Sequence, residues 1–192
     1  MRDYTKEQLE TMLEEVRSGK LEKTETYNHL HELGEAGYLD ARATVEGFLT
    51  NSEQEFRYIA LNVLILHWGL EEHRGTTEDF LFGDPESENR RLAATCLGSL
   101  LRGTRDKKAL RMLTAVFSNE AEYLDVRESA YVSIWRIWGR QGRPISIIEW
   151  HTNDLNRMSE WVESRIDWDW MREVESSLYR DPHEIEFPDE DG

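Results

Sequence analysis

Apolar residues recur at steps of three and four along most of the chain, the spacing of a single helix face. Three stretches share one layout: Arg57-x-x-Ala60-x-x-Val63-Leu64, Arg90-x-x-Ala93-x-x-Cys96-Leu97 and Arg127-x-x-Ala130-x-x-Ser133-Ile134. A glycine follows each, where a helix can end in the left-handed conformation at little steric cost. With an earlier member the series is Gly34, Gly69, Gly103 and Gly139, at intervals of 35, 34 and 36 residues. A fixed period of this size predicts stacked helix pairs, none able to bury its apolar face alone. The alanine one turn after each arginine marks where neighbouring pairs approach closely, and the arginines are placed to bridge to acids of the adjacent pair.

A second helix is expected after each glycine. Residues 38–51 supply Leu39, Val45, Phe48 and Leu49 as an inner face, and residues 104–120 supply Leu110, Leu113, Val116 and Phe117. The stretch after Gly69 reads as only one or two turns. Pro144 opens the return after Gly139, as suits a first helical turn. The pairs then span about 24–50, 53–83, 86–118 and 124–152.

Both ends look like caps. Thr5-x-x-Gln8 forms a capping box for a first helix with Leu9, Met12, Leu13 and Val16 on one face, closed by Gly19. Leu155, Met158, Trp161, Val162, Ile166, Val174 and Leu178 carry helical spacing to about Tyr179, with a bend expected at Asp167–Trp170. The chain therefore reads as one all-α domain over 1–180, with capping helices in 1–22 and 153–180. Residues 181–192, rich in acids and proline, are expected to be disordered.

Val126-Arg127-x-x-Ala130, Arg90-x-x-Ala93 with Cys96-Leu97-Gly98 behind it, and LGEAGYLDARATVEGFL from Leu33 to Leu49 resemble HEAT repeats. The nearest type is the short HEAT-like repeat of bilin-lyase-type proteins. The resemblance covers residues 24–152, about two thirds of the chain. It implies an α-solenoid of about four HEAT-like helix pairs and is silent on activity. A tetratricopeptide array has a compatible period, but its Trp-Leu-Gly-Tyr and Ala-Phe pattern is absent.

Composition narrows the setting. Hydrophobic residues make up 39 % and charged residues 32 %, a balance suited to helical proteins with generous surface. The single cysteine, Cys96, forms no intramolecular disulfide. The N-terminal twenty residues lack the apolar stretch of a signal peptide. The longest mainly apolar run, residues 59–70, is about half of the roughly 20 residues that cross a bilayer. A cytoplasmic protein is expected.

Charge changes the picture more. The net charge is −16, unevenly spread. Residues 1–89 carry 8 basic and 20 acidic side chains, residues 90–143 carry 11 and 5, and residues 154–192 carry 4 and 13. A basic middle thus lies between acidic ends.

Several constellations were weighed as chemistry. His31-Glu32 resembles the His-Glu pairs of HEAT-like deoxyhypusine hydroxylases, whose di-iron centre needs the pair on equivalent helices. The equivalent positions here are Tyr58, Arg91 and Glu128, so the set is incomplete. His67, Glu71 and His73 fall close in sequence, but Gly69 should end the helix between them. Cys96 stands among alanines and leucines as a small core thiol. No glycine-rich phosphate loop or nucleophile elbow occurs. No catalytic, cofactor-binding or metal-binding residue is assigned, and no cofactor is expected.

Two surfaces remain. Asp167, Trp168, Asp169, Trp170 and Glu173 set aromatics among acids, which suits an anchor for a basic protein partner. Trp168 and Trp170 lie about 200° apart on a helix, so at least one should reach the surface. The alternative is a basic ridge of Arg102, Arg105, Lys107, Lys108, Arg111, Arg136, Arg140 and Arg143. It is similar to the surface on which HEAT-like DNA glycosylases cradle a duplex, and its cations suffice for phosphate contacts. The favoured expectation is a non-enzymatic interaction module, an acidic scaffold or immunity-like inhibitor docking a basic protein. Nucleic-acid binding is the runner-up, and no membrane role is expected.

Overall fold

Thr5 starts the first helix, α1 (Lys6–Ser18), by the expected reciprocal contact. Gln8 N–H donates to Thr5 Oγ1 at 3.3 Å, and Thr5 N–H donates to Gln8 Oε1 at 2.8 Å. Leu9, Leu13 and Val16 are buried, and Gly19 closes the helix at φ 66°. These elements belong to a computed structural model in which residues 4–140 and 166–179 are described. The return helix expected at 144–152, the stretch 155–162, Arg143 and the tail 181–192 lie outside the described residues.

Among the described residues the chain is all-α, with no strands. After α1 come α2 (Lys23–Glu35), α3 (Arg42–Gly47), α4 (Gln54–Asn62), α5 (Arg74–Gly83), α6 (Ser87–Leu100), α7 (Lys107–Ser118), α8 (Leu124–Trp138) and α9 (Trp168–Tyr179). α4 runs on into a π-helical stretch, Val63–His67, before Gly69 turns the chain at φ 65°. α2 packs on α4, α4 on α6, and α6 on α8; α5 lies against α6, and α7 against both α8 and α9. No described helix is long and apolar enough to cross a membrane.

The repeated alanines do what their size suggested. Ala60, Ala93 and Ala130 are fully buried, in two clusters of packed side chains. One joins α1, α2 and α4 through Leu13, Leu30, Leu33 and Leu64; the other runs from Leu61 to α9 through Leu97, Leu113, Ile134 and Val174. Emptying one such fully buried leucine typically costs about 2–5 kcal/mol.

The glycine series needs two corrections. Gly34 does not end a helix: it lies inside α2, buried, where a Cβ would meet Val63 Cγ2 at 2.6 Å. Gly37, at φ 65°, makes the turn instead. Gly103 takes the expected left-handed conformation, at φ 73°, but stands beyond the end of α6, where its N–H donates to Arg136 O of α8.

The return segments also differ from expectation. After Gly69 a full helix forms: α5 has 10 residues, preceded by a 3-10 turn at Glu71–His73. Thr77 is accommodated because its hydroxyl donates to His73 O at 2.9 Å. After Gly37 the return is the broken one, a 3-10 turn, α3, then a second 3-10 turn at Phe48–Thr50. Leu39, expected inside, is 55 % exposed.

Candidate functional site

Two of the recurring arginines each tie a helix to the turn that follows the next helix. Arg57 on α4 meets Asp84 with two parallel bonds, Nε to Oδ2 at 2.8 Å and Nη2 to Oδ1 at 3.0 Å. Its Nη1 donates to Asn51 O and Ser52 O. Arg90 on α6 repeats this on Glu122, at 2.9 and 2.8 Å, and its Nη1 takes Asp84 O and Pro85 O. Arg127 on α8, among the described residues, makes a backbone contact alone, donating to Phe117 O at 2.8 Å. A second line of bridges runs through the return helices. Arg42 joins Glu46 and Glu72, and Arg74 joins Glu78 and Asp106.

These contacts set the local electrostatics. Burial opposes the Asp84 carboxylate, but hydrogen bonds from Arg57, the Glu86 N–H and Asn89 outweigh it and hold the carboxyl below its ordinary value. For Glu122 the Arg90 bond dominates, and its carboxyl is likewise lowered. Asp106, which also caps α7 by accepting from Ala109 N–H, is lowered chiefly by Arg74.

The acidic aromatic cluster splits into an inner and an outer half. Trp170 is only 3 % exposed, edge-on to Tyr131, Trp135 and Trp138. The Arg140 guanidinium lies over Trp135 and Trp170, 4.6 and 4.9 Å from the ring centres, and pairs with Asp167 at 2.8 Å. Asp167 also accepts from Trp170 N–H at 3.0 Å, which fixes the start of α9. This clasp holds α9 on α8. The outer half is Trp168, 41 % exposed with its ring 5.7 Å from Phe117, together with Asp169 and Glu173, both exposed. Asp169 pairs with Arg172.

Much of the basic ridge is engaged by the protein itself. Lys108 pairs with Glu78, Arg140 with Asp167, and Arg111 Nη2 donates to Leu178 O. Arg105 stacks on Trp138 at 5.3 Å. Arg102 and Lys107 are exposed. Arg136 is half-buried; that burial, with the charge of Arg102 nearby, lowers its affinity for a proton. Arg143 lies outside the described residues.

The histidines engage different neighbours. His67 stacks edge-on against His31 at 5.5 Å, and His73 bonds Glu46 at 3.0 Å. No group of three or more His, Cys, Asp or Glu side chains suited to a metal ion occurs among the described residues. Cys96 is fully buried, and burial pushes its thiol far up from ordinary acidity.

One feature went unread in the sequence. An open groove of about 480 Å³ lies between α5 and α7, floored by Leu81 and Val116 and walled by Phe82, Ala115 and Asn119. The Arg90–Glu122 pair lines it as well. The available signal was Phe80-Leu81-Phe82: three consecutive apolar residues on a helix cannot all face inward. Neither the models of known protein families nor the sequences of curated proteins give a match to this chain.

Proposed function

We propose that the chain is a short HEAT-like α-solenoid of about four helix pairs, working in the cytoplasm as a non-enzymatic interaction module. In this reading it is an acidic scaffold or inhibitor that docks a basic protein partner; an antagonist of a basic nuclease or toxin is the narrower form. Support for the repeat lies in the packing order α2, α4, α6, α8 and in two similarly placed bridges, Arg57 to Asp84 over 27 positions and Arg90 to Glu122 over 32.

The observation that carries the docking reading is the division of charge. Residues 1–89 hold 20 acidic against 8 basic side chains, and Lys23, Arg42, Arg57 and Arg74 among those bases are already paired with carboxylates. Carboxylates in excess of the internal pairs, among them Glu7, Glu14, Asp79 and Glu86, are exposed. A field of that sign steers a cationic partner and repels a polyanion. Trp168, with Asp169 and Glu173, offers an exposed aromatic beside acids.

The test is capture on the immobilised full chain from native lysate, with and without nuclease, followed by kinetics with the purified partner. A basic protein retained after nuclease, whose association rate falls roughly tenfold between low and physiological salt, supports the reading. Partners lost on digestion, with nucleic acid in the eluate, favour the alternative. Arg102 and Lys107, exposed on the ridge, would then be the residues to reverse.

A further inference from the structure

We propose that the groove between α5 and α7 is where the partner docks, taking one apolar side chain of a lysine- or arginine-rich segment. The proposal rests on the reading above and narrows it to a place and a chemistry.

The groove is apolar at its floor, and exposed carboxylates stand within a few positions of its lining residues. Leu81 and Val116 at its floor are almost completely buried, while Phe82 on its wall is 57 % exposed. Tyr123, 64 % exposed, follows Glu122 directly and opens α8 beside it. Two large exposed rings near an apolar floor leave surface that a single inserted side chain would cover.

The rim decides the sign of what enters. Asp79 stands three residues before Phe82 on α5, on the same helix face, and Glu86 follows α5 in the turn. Glu120 stands beside Asn119 in the turn after α7. All three are exposed. The cations nearby are engaged. Arg90 holds Glu122 by two bonds and two backbone carbonyls by its remaining nitrogen; Lys108 bridges to Glu78 one turn before Phe82; Arg111, one turn before Ala115, donates to Leu178 O. An anionic segment would meet exposed carboxylates and occupied guanidinium groups. A cationic one carrying an apolar residue meets complementary charge and an unfilled floor.

The probe is a short lysine-rich peptide with one central phenylalanine, titrated into the isotope-labelled full chain and followed by amide chemical shifts. Its controls carry serine in place of phenylalanine, or glutamate in place of lysine. Shifts are expected to concentrate at Phe82, Ala115, Val116 and Asn119. The serine peptide should bind roughly tenfold more weakly, about what burying one apolar side chain supplies. Ala115→Arg, at an exposed helix position, should weaken the phenylalanine peptide at least as much, and so should Phe82→Ala, at a side chain 57 % exposed. Leu39→Ser, at an exposed apolar position outside the groove, should change it less than about twofold. Shifts centred instead on Trp168, Asp169 and Glu173, or on α1, overturn the groove assignment and leave the basic-partner reading standing. Binding of the glutamate peptide in preference to the lysine one overturns both, and so does the absence of shifts with any lysine peptide.

Discussion

The ion pairs between distant parts of the chain come in two kinds, and the difference is water. On the line through α4 and α6, the side chains of Arg57 and Asp84 are 12 % and 3 % exposed, and those of Arg90 and Glu122 are 14 % and 12 %. Elsewhere, Lys23 and Glu53 are 47 % and 53 % exposed, and Arg42 and Glu72 are 41 % and 51 %. The same pairing of charges therefore has two different meanings. In the buried set each guanidinium also holds two backbone carbonyls of a turn, so the charge pair and the turn are fixed together. In the exposed set a long side chain is held in one geometry for a screened attraction, which contributes little.

The largest effect should come from leaving a buried guanidinium alone. Asp84→Ala removes both bonds to Arg57, the acceptor of the Glu86 N–H and a partner of Asn89. A loss of about 3–5 kcal/mol is expected from the urea midpoint, because the desolvated charge remains without its partner. Replacing both members, Arg57→Met with Asp84→Leu, should recover most of that loss, since a well-packed apolar pair of similar size often equals a buried ion pair. If the double variant is as unstable as the single one, the turn carbonyls held by Arg57, rather than the charge pair, carry the contact.

That arginine line is also the part of the molecule most legible in the sequence. Arg57, Arg90, Ala60, Ala93 and Ala130 act at the spacing that announced them, because period and size report directly on close stacking. The glycines were less legible, since one residue type serves two needs. Gly34 is required by Val63, twenty-nine positions away, and Gly37 by its own φ; spacing alone cannot tell a near neighbour from a backbone angle. α5 was hidden by Gly75, Thr76 and Thr77, poor helix formers whose helix depends on what it packs against. For the candidate surfaces, the pattern placed Trp168 and Trp170 on opposite sides but not which side faced α8. The groove at Phe82 depends on a neighbour, α7, that follows twenty-five positions later, so only packing reveals it.

Acid should separate the two kinds of bridge in smaller steps. The carboxyls of Asp84, Glu122 and Asp106 are all lowered in the folded chain from ordinary values of 3.8, 4.5 and 3.8. A lowered folded value means that the unfolded chain binds the proton first. The stability they supply is therefore complete above the ordinary values and is lost as pH falls through the lower, folded ones. Urea midpoints should hold steady from neutrality to about pH 5 and then decline below about pH 4. In Asp84→Asn and Glu122→Gln the midpoint should start lower at neutral pH and decline less steeply. An undiminished slope in the double variant would assign the acid sensitivity to the remaining surface carboxylates.

The smallest effect is expected at Lys23. Its ammonium contacts both Glu53 and Glu55, at 2.7 and 3.0 Å, and these bonds raise its proton affinity, yet all three side chains stand about half in water. At physiological salt the screening length is roughly 8 Å, and solvent competes for each of the contacts. Lys23→Ala should leave the urea midpoint unresolved from that of the parent chain at physiological salt and produce only a slight shift in dilute buffer. The informative comparison is Arg90→Ala measured beside it, where the loss should be large and nearly independent of salt. Similar losses in the two variants would mean that exposure does not separate these bridges. The helices would then be held by the number of ion pairs among them rather than by the two that exclude water.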